Sequence, residues 1–166
     1  MADLSIGKIN QFDDDGFVDA LGGIYEHSPW VAERVLSERP FDSVEQLHAA
    51  MRTAVEDASR DRKLKLLRAH PDLGDQTGIT DASKEEQASA GLDQLTPKMY
   101  EAFERLNERY REKFGFPFIM AVKNESPGSI LDAMTERVEH SESKEFQTAL
   151  DEVHKIARFR LEDRLA

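Results

Sequence analysis

Apolar residues along this chain recur at three- and four-residue intervals almost throughout, which is the spacing of a buried helix face. The pattern predicts an all-α chain of about eight helices. Phe17, Leu21, Ile24 and Tyr25 share one face of a first helix ending near His27, weakened by Gly22 and Gly23, each about 1 kcal/mol worse than Ala inside a helix. Ser28 and Pro29 read as an N-cap and first helical residue, opening a short helix through Trp30, Val31 and Val35 that Pro40 stops. Ser43 and Gln46 form a capping-box pattern ahead of Leu47, Met51, Ala54 and Val55. Leu64 and Leu67 mark a helix running to Ala69, where Pro71 disfavours helical backbone at His70.

Residues 70–82 hold two Gly and a Pro without periodicity, which predicts a loop of the length that often carries function. A helix is expected from Ser83 to about Gly91, with Ser83 and Glu86 as its capping box. Thr96–Pro97 then opens a long helix carrying Tyr100, Phe103, Leu106, Tyr110 and Phe114, with Gly115 as its stop. The run FPFIMAV at 116–122 reads as extended, because Pro117 forces Phe116 out of the helical region. Two more helices are expected, from about Ser129 to His140 and from Ser143 through Phe146, Leu150, Val153 and Ala157. With no repeat or linker, the 166 residues read as one domain, a multi-helix bundle with a short extended segment.

Composition narrows the function classes. Asp and Glu number 33 against 22 Lys and Arg, and a formal charge of −11 repels phosphate backbones and anionic membranes. Nucleic acid and membrane are therefore not expected partners; the acidic surface serves solubility and would suit a salty cytoplasm. The absence of Cys excludes thiolate nucleophiles, disulfides, Cys-ligated zinc and iron–sulfur clusters. The N-terminus has no basic start with an apolar block behind it, and no stretch is long enough to span a membrane, so a cytoplasmic location is expected. No HExxH, phosphate loop, GxGxxG or GxSxG occurs, and His27, His48, His140 and His154 lack metal-ligand spacing, so no metal site is expected.

Four places could carry chemistry. His70 stands at a helix end against Pro71, where an imidazole can move protons near neutrality, although a histidine there can also simply complement the helix dipole. Ser83, Glu86 and Gln87 lie in the string SKEEQ, which is a helix cap and, at the same time, a possible anion site. The backbone of FPFIMAV could hydrogen-bond a flat, urea-like ligand or could be plain core. Arg158 and Arg160 could each grip a carboxylate or lie on a solvated helix face paired with Glu162 and Asp163.

AHPDLG at 69–74, SKEEQASAGL at 83–92 and NERYREKFGFPFIMAV at 107–122, in that order and followed by IARFRL, resemble the OHCU decarboxylase family over essentially the whole chain. The resemblance implies an all-helical homodimer that needs neither metal nor organic cofactor. It implies decarboxylation of 2-oxo-4-hydroxy-4-carboxy-5-ureidoimidazoline (OHCU), a small-molecule substrate from urate degradation, to (S)-allantoin. The family's catalytic histidine falls on His70, with Pro71 after it. The substrate-contacting stretch falls on Ser83, Lys84, Glu85, Glu86 and Gln87, with Glu86 as the acidic partner of His70 across a small hollow. The pocket backbone falls on Phe118, Ile119, Met120, Ala121 and Val122. The C-terminal arginine falls on Arg160, with Arg158 separated from it only by register. Three residues after Arg137 the family often has Asn where this chain has His140. Two rival readings are a helical adaptor that seats a partner helix near Phe116–Val122, and a metal-assisted hydrolase of cyclic amides.

Overall fold

Nine α-helices and one 3-10 turn make up the regular structure of this computed structural model, which describes residues 4–75 and 79–165. The all-α expectation holds: no strand is present among the described residues, and an isolated bridge joins Leu4 and Leu165. No helix among them is long and apolar enough to cross a membrane. Contacts within the chain cluster into two compact units, Met1–Ala69 with His154–Ala166, and His70–Val153.

The first unit begins with a helix the periodicity did not reveal. α1 (Ile6–Gln11) is capped by Ser5, whose hydroxyl accepts the Lys8 N–H at 3.2 Å, but it buries only Ile9 and so leaves no repeating apolar signal. α2 (Asp14–Leu21) starts at Asp13 and stops at the Gly22–Gly23 pair, six residues short of the expected end at His27. Ile24 and Tyr25 remain buried from the turns that follow. α3 (Trp30–Val35) begins one residue later than expected: the Ser28 hydroxyl donates to the Glu26 carbonyl at 2.8 Å, so Pro29 occupies the cap position without a side-chain cap. A 3-10 turn (Leu36–Glu38) precedes α4 (Val44–Glu56), where Ser43 accepts the Gln46 N–H at 3.1 Å as expected while Gln46 reaches back to Asp42 instead of Ser43. α5 (Arg60–Arg68) ends at Ala69. Asn10 clamps both backbone groups of Phe41, at 2.8 and 2.9 Å, which seats Phe41 against Phe17.

The second unit contains α6 (Asp81–Ser89), α7 (Pro97–Phe114), α8 (Pro127–Arg137) and α9 (Glu142–Arg164) as far as Val153. α7 follows its sequence signals closely: Thr96 caps it, Pro97 opens it and Gly115 closes it at φ 81°, a conformation that favours glycine. Its buried face carries Phe103, Tyr110 and Phe114, and the last two meet Phe116, Phe118 and Phe146 in an aromatic cluster whose ring centroids lie 4.5–6.2 Å apart. Residues 116–122 are irregular and largely buried, so the extended segment is a core loop rather than a strand.

Each core also holds a polar network. In the second unit the Glu145 carboxylate is wholly buried and takes hydrogen bonds from Tyr110, Arg137 and His140 at 2.7–2.9 Å. Removing one member of such a buried pair typically costs about 3–5 kcal/mol, because the other charge is left uncompensated. In the first unit Tyr25 Oη lies 2.8 Å from His154 Nδ1, and His154 Nε2 lies 3.0 Å from Glu56. Burial pushes the Tyr25 phenol up, so it stays a donor to Nδ1, and the Nε2–H of a neutral His154 donates to Glu56. The His48 Nε2–H donates to the His154 carbonyl at 2.8 Å.

Burial holds His154 below its ordinary value near 6.5, opposed by Glu56. It does the same to His48, opposed by the His154 carbonyl. The unfolded chain therefore binds protons that the native state refuses, so these groups contribute stability above the ordinary imidazole value that is lost as pH falls through the lowered one. The thermal midpoint should be flat from pH 8 to 7 and fall by several degrees between about pH 6.5 and 5. His154→Gln should flatten part of that slope; a wild-type midpoint independent of pH in this window would contradict the assignment.

Candidate active site

In the second unit the loop that follows His70 is tied to two helices. His70 follows the last turn of α5 and is buried, and Pro71 after it is half-buried. Asp72 then pairs with Arg111 of α7 at 2.7 Å, and the Leu73 carbonyl accepts Asn107 Nδ2 at 2.9 Å. The Gly74 N–H donates to Gln87 Oε1 of α6 at 3.0 Å. Gly74 has φ 90°, and a Cβ there would stand 3.3 Å from Leu95 Cδ1. These bonds fix the chain just after His70 against the buried face of α6; residues 76–78 of the expected loop lie outside the described residues.

α6 corrects the expected cap. Thr80, not Ser83, is the N-cap, and its hydroxyl accepts the Ser83 N–H at 3.2 Å. Ser83 therefore sits inside the first turn with its amide already used, and the Ser83–Glu86 capping box does not exist. The helical period explains the rest: Ser83 and Gln87 are buried and Glu86 half-buried on one side, while Lys84 and Glu85 lie on the exposed side. Of the five residues expected to meet substrate here, the structure groups three and separates two. Gln87 has a structural duty that its sequence position did not reveal, since its side-chain oxygen holds Gly74.

Phe118 and Ile119 are fully buried, Val122 nearly so, and Met120 and Ala121 half-buried. Several backbone groups of this segment are committed internally. The Ile119 carbonyl accepts Arg137 Nη1 at 2.7 Å, the Ala121 N–H donates to Glu152 at 3.1 Å, and the Val122 carbonyl accepts the Glu125 N–H at 3.0 Å. The N–H and C=O of Met120 bond to none of the described residues.

In the first unit the two C-terminal arginines differ sharply. Arg158 is half-exposed and pairs with Glu162 at 3.0 Å and Glu45 at 3.4 Å on a solvated helix face. Arg160 is buried, and its guanidinium meets the Glu26 carboxylate at 3.0 Å and the carbonyls of Gly23 and Ile24.

One cavity of about 340 Å³ in the second unit is lined by Asp72, Asp75, Glu104 and Glu108, with Tyr100, Phe103 and Asn107. Its one arginine, Arg111, is paired with Asp72, and three further carboxylates line it, so the cavity is a poor place for a carboxylate ligand. No group of three or more His, Asp or Glu among the described residues is arranged to hold a metal ion.

Sequence reasoning passed over Asn107, Arg137, Glu145 and Glu152. A signal existed for the first: Asn107 falls on the apolar stripe of α7 between Phe103 and Tyr110, where a polar side chain needs a buried partner.

Comparison with known proteins adds four findings. The family model for OHCU decarboxylase matches residues 10–162. The 2-oxo-4-hydroxy-4-carboxy-5-ureidoimidazoline decarboxylase of Haloferax volcanii is 63% identical over 166 residues, covering 100% of this chain and 99% of that protein. Among solved structures, (S)-allantoin synthase superposes with a TM-score of 0.81 at 37% identity, covering 98% of this chain and 54% of that one. An OHCU decarboxylase crystallised in the presence of (S)-allantoin shares the fold, with a TM-score of 0.71 at 21% identity over 92% of this chain and 97% of that one.

The loop tie is directly testable. Gly74→Ala should lose about 1–3 kcal/mol in urea unfolding while keeping its helical circular dichroism. An unchanged unfolding midpoint would show that the positive φ imposes no constraint.

Proposed function

The chain belongs to the OHCU decarboxylase family, and from that premise we propose that it is a carboxy-lyase converting OHCU to (S)-allantoin without a cofactor, with His70 as the proton-transfer group. The observation that carries the site reading is the bond from Gly74 to Gln87, which ties the His70 loop to the face of α6 bearing Ser83 and Glu86.

The substrate explains why so little machinery suffices. Its C4 bears a hydroxyl and the carboxylate, and C5 next to it is an imine carbon. As the C4–carboxylate bond breaks, its electron pair forms a C4–C5 double bond and the imine pair moves onto nitrogen, which takes a proton while CO2 leaves. C5 then takes a proton on one face as the C4 hydroxyl gives one up and becomes the carbonyl of allantoin. One proton is consumed overall. The protein has to orient the substrate and move protons at defined atoms, which is work for an imidazole near neutral pH.

In this reading His70 delivers the proton and Glu86 orients its imidazole. The Ser83 hydroxyl, Gln87 and Pro71 border the substrate, and Phe118, Ile119, Met120, Ala121 and Val122 line it through their backbone. Lys84 and Glu85, on the exposed side of α6, take no part. The family resemblance assigns the substrate carboxylate to Arg160, whose guanidinium also pairs with Glu26, while Arg158 is spent on Glu162 and Glu45. The family match across residues 10–162 supports reading both units as one OHCU decarboxylase-like domain. A cytoplasmic homodimer acting on a free small molecule completes the proposal, supported by the family resemblance and by a charge of −11 that opposes nucleic acid and anionic membranes.

Following the loss of OHCU freshly made from urate tests these roles. His70→Asn should keep the fold and lower kcat/KM by about 100-fold or more, the low end of general acid–base catalysis. Wild-type turnover in that variant would remove His70 from the mechanism. Arg160→Lys should raise KM well beyond Arg158→Ala, which should leave KM within about twofold because an exposed ion pair contributes little; the reverse order would exchange their roles.

A further inference from the structure

Segment 118–122 is anchored by three side chains that no expected role accounts for. Glu145, wholly buried, accepts Arg137 Nε at 2.8 Å and the Tyr110 hydroxyl at 2.7 Å on one oxygen, and meets His140 Nδ1 at 2.9 Å with the other. Arg137 is buried too. Its Nη1 donates to the Ile119 carbonyl at 2.7 Å, and its guanidinium lies 4.4 Å over the Phe118 ring. Two residues on, Glu152 accepts the Ala121 N–H at 3.1 Å. The arrangement is a poor choice for stability alone: Arg137 Nη2 is buried without a hydrogen-bond partner, and well-packed apolar residues usually serve as well as a buried ion pair or better.

Peptide geometry shows what the anchors accomplish. The bonds on either side of Met120 are trans, since Arg39–Pro40 is the one cis peptide recorded among the described residues. In a trans peptide the C=O of one residue and the N–H of the next point in opposite directions. Holding the Ile119 carbonyl toward Arg137 therefore turns the Met120 N–H away from Arg137. Holding the Ala121 N–H toward Glu152 turns the Met120 C=O away from Glu152. Both peptide groups of half-buried Met120 are thus aimed by their far ends, and neither bonds to a described residue.

We propose that Arg137, seated by Glu145, and Glu152 are positioning residues that orient the Met120 N–H and C=O as a donor–acceptor pair for the ureide edge of the substrate, which presents a matching C=O and N–H. The inference rests on the reading of 118–122 as substrate-lining backbone. It predicts that loosening either anchor weakens substrate binding more than the chemical step, since the ureide C=O and N–H neither make nor break a covalent bond in the reaction.

The test compares Arg137→Lys, Glu152→Ala and Glu152→Gln with wild type, using OHCU generated from urate, (S)-allantoin as a competing product, and thermal midpoints from circular dichroism. Arg137→Lys and Glu152→Ala should raise KM about tenfold, with kcat within about threefold, and weaken inhibition by (S)-allantoin by a similar factor. Glu152→Gln keeps an acceptor for Ala121 and should return KM to within about twofold of wild type. A lower midpoint with unchanged KM would make the anchors purely structural and overturn the proposal, as would a fall in kcat at constant KM. If Arg137→Lys does not fold, the Glu152 pair decides alone. A wild-type protein that leaves the decay of OHCU unchanged would end the underlying reading, and this proposal with it, before any variant is compared.

Discussion

A buried backbone N–H must find an acceptor, and in the loop after His70 that requirement is met by a side chain of another element. The Gly74 amide, in a left-handed conformation, donates to Gln87, while the carbonyl of Leu73 next to it is held by Asn107. Without these bonds the loop would have no fixed relation to α6. With them, the chain after a buried histidine is fastened to the helix face that carries Ser83 and Glu86. The proposed chemistry depends on that fastening more than on any single ionisable group, because an acid–base residue is useful only where its ring is held within reach of the reacting atom.

The two polar cores make different use of charge. In the first unit the Tyr25–His154–Glu56 chain runs through an imidazole that burial keeps from taking a proton, so its bonds depend on pH. In the second, Glu145 meets a guanidinium and a phenol, and the phenol is raised by burial and by that carboxylate. Arginine keeps its charge across the working pH range, so the Arg137–Glu145 contact persists where an imidazole pair would titrate. A group that sets the direction of a peptide plane benefits from that constancy.

Much of this was legible in the sequence, for identifiable reasons. α7 was readable to the residue because Thr96, Pro97, Gly115 and an apolar stripe interrupted at Asn107 agree with one another. α1 was invisible because six residues that bury one side chain leave no period. The start of α6 was misplaced by one turn, since Thr80 and Ser83 are both competent caps and the apolar pattern of this polar helix is too weak to choose between them. The burial of His70 and Arg160 and the exposure of Lys84 and Glu85 follow from packing and helical phase. The roles of Gln87, Arg137, Glu145 and Glu152 could not be read, because each is defined by partners 5 to 35 residues away.

The most direct test is the handedness of the product. Circular dichroism of allantoin accumulating from urate, in the presence of a urate oxidase and the hydrolase that produces OHCU, should be recorded with and without this protein. The protein should accelerate accumulation and yield the (S) enantiomer, because protonation at C5 is delivered to one face. A silent spectrum from racemic allantoin, formed at the same rate with or without the protein, would contradict it.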